Sequence, residues 1–188
     1  MSKVELEDPN YQALCEHNRE TGYLISTAAI LEWDQQTKMP ALASEYRSEQ
    51  ITHLAGLIHE RKTDPRVGEW LEHLVDSPLA EDPVSDSGAT IRILKRDYEK
   101  RIKLPATLVK ELARAASVGQ TQWVAARKEN DFEAFAPQLK KIFELKKSEA
   151  AAIGYAEVPY DALLDEYEPG AKTSEVAGIL EALRQELV

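Results

Sequence analysis

The spacing of apolar residues constrains the fold of this chain more than any other feature. Apolar side chains recur at intervals of three and four residues, as in the stretch 44–61, which contains Ile51, Leu54, Ala55, Leu57 and Ile58. This spacing places them on one face of an α-helix. Alternation at period two, which is typical of a half-buried strand, never persists for more than a few residues. The pattern predicts an all-α fold, a multi-helix array of about seven to eight helices.

Proline and acidic residues mark the ends of the first helices. Asp8-Pro9 and Asp64-Pro65 each place an N-cap acceptor before a proline at the first helical position. Met39-Pro40 ends the first helix, because a residue that precedes proline avoids the α region. The range 76–87 contains two prolines among small and acidic residues, and we expect it to form a loop.

Single residues predict features of the later helices. Pro105 opens the fifth helix, and Gly119 within it is expected to let another helix approach closely. Pro137 is expected to kink or restart the sixth helix, which Gly154 follows. Thr173 is predicted to cap the last helix.

Composition excludes several classes of function. The net charge is −10, so the chain gains nothing from releasing counterions and nucleic acid is not an expected partner. No apolar run approaches the roughly 18 residues of a membrane-spanning helix, and the first residues contain no hydrophobic signal segment. Cys15 is the single cysteine and cannot form an internal disulfide. We read it as a small core or surface residue and predict a cytoplasmic protein with no membrane partner.

A search for catalytic motifs finds none. A zinc peptidase of the HExxH type needs two histidines one helical turn apart and a glutamate beside the first, and no HExxH occurs in the 188 residues. His59-Glu60 begins such a motif, but Thr63 stands where the second histidine belongs. We therefore place His59 at the end of a solvated helix face. We predict that this chain contains no catalytic residue and no metal ligand.

Two groups of polar and aromatic residues have alternative interpretations. The acidic cluster contains Asp161, Asp165, Glu166 and Glu168. It is either a polar patch that meets a substrate or another part of the protein, or a solvated helix in which Asp161 supports the first turn; the spacing favours the second.

The tryptophans Trp33 and Trp123 can be recognition aromatics, but their positions within helical stripes favour core packing. Arg47 lies in the first turn of the second helix, where a positive charge is unfavourable for the helix dipole. We expect a carboxylate, such as that of Asp34, to pair with it.

Four ordered stretches carry a resemblance to a known family. They read WDQQTKMP at 33–40, RDYEKRIKLPATLVKEL at 96–112, DFEAFAPQL at 131–139 and PYDALLDEYEPG at 159–170. The chain resembles the carboxypeptidase Taq family of all-helical, HExxH-type thermostable metallocarboxypeptidases. The likeness covers essentially the whole chain. One departure follows Pro40, where the family usually has glycines and this chain has Ala41-Leu42-Ala43.

The resemblance implies that residues 1–188 form the N-terminal portion of a larger metallopeptidase, whose HExxH region lies further along. This portion would supply scaffold and one wall of a cleft that admits the C-terminal end of a peptide, and zinc or cobalt would be bound by the full-length enzyme. The family's metal ligands, general base and carboxylate-reading arginine have no positions here. The candidate cleft-lining or structural residues are Trp33, Asp34, Arg47, Tyr160, Asp161 and Tyr167.

Other interpretations stay open from the sequence. The chain is a portion of a carboxypeptidase, a freestanding non-catalytic helical module that binds peptides, or an acidic bundle that oligomerises, with a homodimer expected. The last helix has an apolar stripe of Val176, Ile179, Leu180, Leu183 and Leu187, which is unfinished at the last residue. This stripe suggests missing sequence, or a helix that frays at its end.

Overall fold

The computed structural model describes residues 8–187, and within that range it contains helices and no strand. Two short 3₁₀ turns, Ala41–Ala43 and Pro78–Ala80, lie between α-helices. The α-helices in chain order are α1 (Pro9–Thr37), α2 (Ser44–Lys62), α3 (Pro65–Val75), α4 (Asp86–Arg101), α5 (Ala106–Glu129), α6 (Phe132–Ile153), α7 (Pro159–Leu164) and α8 (Thr173–Leu187). The predicted all-α array of seven to eight helices is confirmed.

The helix ends form where the sequence predicts them. The Asp8 carboxylate accepts hydrogen bonds from the main-chain N–H groups of Asn10 and Tyr11, and Asp64 accepts one from Arg66. Each acceptor is followed by a proline that has no N–H group to satisfy. The predicted loop near 76–87 contains the second 3₁₀ turn and ends at Ser85, whose hydroxyl accepts from the Gly88 N–H at 3.1 Å.

The main hydrophobic core lies where the first half of α1 meets α3 and α4. Its buried side chains are Tyr11, Leu14, Val67, Leu71, Leu74, Leu79 and Ile91. Leu14, Leu74 and Ile91 are at most 2% exposed, so each contributes roughly the 1.5–3 kcal/mol expected for a fully buried aliphatic side chain. Cys15 is half-buried and packs against the same cluster, so of the two predicted positions, core or surface, it lies at the core.

A second layer is formed by α2, α5 and α6. Helix α2 packs against both α1 and α5, and α5 packs in turn on α6. A Cβ atom at Gly119 of α5 would lie 3.0 Å from Cδ1 of Ile142 in α6, so the close approach predicted for this glycine is confirmed. Beside it, the Gln138 side-chain amide donates to the Ala115 carbonyl at 2.8 Å.

Of the kink or restart predicted at Pro137, the restart is wrong, and the kink stays a prediction. Helix α6 is continuous from Phe132 to Ile153 with the proline inside it. Pro137 removes a single N–H, whose partner would be the carbonyl of Glu133 in the first turn. Four further turns follow the proline, and their hydrogen bonds and their packing on α5 maintain the helix.

The solvated position predicted for His59 is also wrong. The side chain is 6% exposed, and its Nδ1 is buried without a hydrogen-bond partner. Desolvation lowers the pKa of His59 below its ordinary value of 6.5, against an opposing effect of the Leu104 main chain. The sequence pattern misplaced His59 because helix α4 and the start of α5 cover the end of α2, and these contacts are distant in sequence.

Burial of His59 predicts a pH dependence of stability. The unfolded chain takes up a proton at this histidine near pH 6.5, whereas the folded chain does so only at lower pH. The unfolded state therefore binds more protons, and the free energy of unfolding should fall as the pH drops below about 6.5. We expect His59→Gln to flatten this slope in urea titrations between pH 7 and pH 5.

The exposed His73 provides the matched control. Replacing it with glutamine should leave the slope as it is in the unmodified chain. Equal slopes for the two variants would contradict the assignment to His59.

Candidate functional site

The WDQQTKMP stretch begins at the end of α1, where Asp34 pairs with Arg47 of α2. Arg47 Nη2 lies 2.7 Å from Asp34 Oδ2, and Nη1 donates to the Leu31 carbonyl at 2.7 Å. Nε donates to the side chain of Gln50 at 3.1 Å. The predicted pairing is confirmed. Three bonds to a mostly buried guanidinium compensate the unfavourable position of this charge at the start of α2.

Gln35, which the sequence did not single out, connects α1 to α5. Its Nε2 donates to the Ser117 carbonyl at 2.9 Å, and its Oε1 accepts from the Ser117 hydroxyl at 3.1 Å. The partner lies 82 residues away, so no local pattern indicates the contact. The motif is thereby tied to two neighbouring helices through adjacent residues, Asp34 and Gln35.

Trp33 and Trp123 are not core residues, although the sequence favoured core packing for both. Trp33 is 59% exposed and Trp123 is 47% exposed. Within the second half of α1, Tyr23 and Ile30 are exposed as well, at spacings that place them near Trp33 on one side of the helix. The apolar stripe of α1 is buried only where α3 and α4 cover it.

The second candidate region is the segment that begins with α7. The Asp161 carboxylate accepts from the Thr173 hydroxyl, from the Thr173 N–H at 2.9 Å and from the Val158 N–H at 3.2 Å. These bonds, the Thr173 hydroxyl first, lower the pKa of Asp161 to about 2. Asp161 supports the first turn of α7, as predicted. Thr173 is the first residue of α8, and its hydroxyl donates to the Asp161 carboxylate. The side chain thus bonds to α7 and not to the first turn of α8, where the cap was predicted.

Asp165 is not the solvated side chain that the spacing favoured. It pairs with Arg96 of α4, lies 3.4 Å from the Lys100 ammonium and accepts from the Gly170 N–H at 3.1 Å. Burial raises the pKa of Asp165, but the Gly170 amide and the two cations outweigh it and hold the pKa below its usual range. Within the acidic cluster, Asp165 and Glu166 therefore meet α4, as the disfavoured alternative had it. Asp161 supports the first turn and Glu168 is exposed, as the favoured alternative had it.

The six predicted site residues fall into two separate groups. Trp33, Asp34 and Arg47 lie at the α1–α2 turn, whereas Tyr160, Asp161 and Tyr167 lie after α6 and beside α4. No hydrogen bond or ion pair in residues 8–187 joins the groups. The carboxylates and Arg47 are occupied by protein partners, while Tyr160 and Tyr167 are 58% and 83% exposed.

Two cavities accompany these groups. A groove of about 370 Å³ lies between α1, α2 and α5, with Ile51 and Ile58 among its apolar lining and Gln35 among its polar lining. A second cavity of about 480 Å³ lies between α4 and the end of α7, where Arg96, Asp165 and Tyr167 line it. Both are large enough for several side chains of a bound peptide.

The described residues do not fit a zinc site. No group of three or more histidine, cysteine, aspartate or glutamate side chains within 8–187 could hold a metal ion. His17 Nε2 bonds to the Arg61 carbonyl at 2.8 Å, and His59 is enclosed by other helices. In the same range, no helix combines the length and apolar character needed to cross a membrane.

Comparison with known proteins identifies the family. The family model described as carboxypeptidase Taq (M32) metallopeptidase matches residues 13–188. The chain belongs to this family. It is 41% identical to thermostable carboxypeptidase 1 of Thermus thermophilus in an alignment of 187 positions that covers 94% of this chain and 36% of the relative.

Solved M32 structures share the fold. The match to the crystal structure of BsuCP has a TM-score of 0.87 at 28% identity. It covers 95% of this chain and 35% of the BsuCP chain. The M32 carboxypeptidase of Deinococcus radiodurans R1 matches with a TM-score of 0.73 at 30% identity over the same shares of the two chains. This chain therefore spans about a third of the length of the M32 relatives it matches.

The Arg47 contacts predict a measurable stability effect. Arg47→Ala removes three bonds and leaves Asp34 and the Leu31 carbonyl partly buried, so we expect a loss of more than ~1 kcal/mol in urea unfolding. Arg184→Ala is the matched control, because Arg184 pairs with Glu181 on the open surface of α8 and should cost much less. A loss for Arg47→Ala within 0.3 kcal/mol, which is about the error of such a measurement, would contradict this role.

Proposed function

We propose that this chain is the N-terminal portion of an M32 metallocarboxypeptidase that releases C-terminal amino acids from peptides. In this proposal, residues 1–188 supply scaffold and one wall of the cleft. The metal, zinc or cobalt, would be held by the part of the family fold for which this chain has no counterpart. There it would activate a water molecule for attack on the last peptide bond.

The proposal rests on a match that covers nearly all of this chain but only about a third of the related chain. The fold agrees with BsuCP over 95% of this chain but only 35% of that one, while no HExxH occurs in the 188 residues. A freestanding peptide-binding module is the alternative. The exposed apolar side chains of α8, Ile179, Leu180 and Leu183, favour the portion instead, because such a stripe needs a covering surface.

The roles proposed for this chain's own residues are binding and positioning. Tyr160 and Tyr167 present open aromatic rings that can contact a peptide on the cleft wall. Asp161 fixes the start of α7 below them, and the Asp34–Arg47 pair fixes the turn next to Trp33. No bond-breaking step is assigned to any of these groups.

The proposal also includes the partners, the cellular location and the oligomeric state of the enzyme. The net charge of −10 disfavours nucleic acid as a partner, and the low cysteine content, one in 188 residues, agrees with a cytoplasmic location. We also propose a homodimer for the whole enzyme. The exposed apolar stretches on α1 and α8 support association of some kind.

Complementation tests the proposal. The 188-residue chain is co-expressed with the remaining two thirds of the Thermus thermophilus relative, and release of the C-terminal amino acid from a blocked dipeptide is measured with added zinc or cobalt. We expect no release by either part alone and metal-dependent release by the pair. A supplied part with its HExxH glutamate replaced by glutamine is the control, and should abolish release.

Release by the 188-residue chain alone would contradict the proposal. So would a purified, folded complex of the two parts that shows no activity.

A further inference from the structure

The junction of α1, α2, α3 and α4 contains a small polar cavity of about 30 Å³. Thr21, Lys62, Asp97 and Tyr98 line it with polar groups, and Val67 is among its apolar lining. A water molecule needs roughly 10–15 Å³ of such space, so the cavity has room for about two. Empty cavities in proteins have apolar walls, whereas a polar cavity of this size is typical of a hydration site.

Two groups of polar contacts meet at this cavity. Between α2 and α4, the Asp97 carboxylate accepts from the Lys62 ammonium at 2.8 Å and from Arg101 Nε at 3.1 Å. Between α1 and α2, the buried Thr21 hydroxyl accepts from Arg61 Nε at 3.0 Å and donates to a main-chain carbonyl one turn earlier at 2.8 Å. No side-chain hydrogen bond in the described part of the chain joins the two groups directly.

The Tyr98 hydroxyl needs a partner in this cavity. A Cβ atom at Gly68 would lie 2.6 Å from the hydroxyl oxygen, so this oxygen lies directly against the backbone of α3, where glycine leaves space for it. Tyr98 is half-buried and packs against the hydrophobic core. Among residues 8–187, its hydroxyl has no hydrogen-bond partner. A hydroxyl that is removed from water without a partner destabilises the fold.

The chemistry of the lining favours water over an ion. The Asp97 carboxylate has lone pairs beyond those that its two cations use, and the Lys62 ammonium has N–H groups beyond the one directed at Asp97. The Tyr98 hydroxyl can both donate and accept. A simple ion would satisfy either the donors or the acceptors and would be repelled by the others. A water molecule can satisfy both kinds.

We propose that this cavity is a binding site for about two ordered water molecules, which bond to the Tyr98 hydroxyl, the Asp97 carboxylate and the Thr21 hydroxyl. These water molecules connect the α2–α4 ion pairs to the α1–α2 hydrogen bonds, so that three helices share one network. The cavity is formed by helices within this chain, and the water site is therefore independent of the proposed enzymatic role.

A crystal structure of the 188-residue chain tests the site, with bromide in place of chloride and at a resolution that shows ordered water. We expect one or two peaks in the cavity, within hydrogen-bond distance of the Tyr98 hydroxyl and the Asp97 carboxylate and without the anomalous signal of bromide. A cavity without a peak would overturn the proposal. A bromide peak would also overturn it, because the site would then bind an anion.

Unfolding in urea tests the same site in solution. If water satisfies the Tyr98 hydroxyl, Tyr98→Phe removes a bonded group and should lower the midpoint urea concentration. Removal of a hydroxyl without a partner would instead leave the midpoint unchanged or raise it, and this result would contradict the water site. Tyr46→Phe, at a side chain that is 71% exposed, is the matched control and should leave the midpoint unchanged. Neither experiment involves peptide hydrolysis, so the water site and the proposed enzymatic role can fail independently.

Discussion

The packing of α2 between α1 and α5 is the constraint on which the rest of the structure depends. Arg47 and Arg61, near the two ends of α2, bond to α1 through Asp34 and Glu20 respectively. Gln35 then reaches from α1 to Ser117 of α5. Because both neighbours are fixed to α2, α1 can extend its first half to the hydrophobic core while α5 presents Gly119 to α6. The groove between the three helices is a consequence of this arrangement.

The motif residues serve mainly to position helices. Asp34, Arg47 and Asp161 have all found protein partners, whereas the neighbouring aromatic residues Trp33 and Tyr160 remain exposed. We propose that this division reflects a scaffold, in which polar groups orient the turns and aromatic rings face outward. It agrees with membership of the M32 family and with a length of about a third of the relatives.

Most of the confirmed predictions rest on local signals, although the local signals at Pro137 and Thr173 misled, and the misplaced residues His59 and Asp165 have distant partners. Asp8-Pro9, Asp64-Pro65 and Gly119 were interpreted correctly, because caps and close approach depend on residue chemistry at one position. His59 was misplaced because burial comes from helices that follow much later in the chain. The favoured interpretation of Trp33 failed because an apolar stripe does not show how much of its length other helices cover. That of Asp165 failed because local spacing cannot reveal its partner Arg96, which lies 69 residues earlier.

The central proposal is that residues 1–188 supply scaffold to an M32 metallocarboxypeptidase and hold no metal ion themselves. Equilibrium dialysis of the purified chain against zinc and against cobalt, with bound metal measured by mass spectrometry, tests it most directly. The account predicts far less than one metal ion per chain, with no change when His53, His59 or His73 is replaced. Stoichiometric binding that is lost in one of those variants would contradict it, and would place a metal site within this chain.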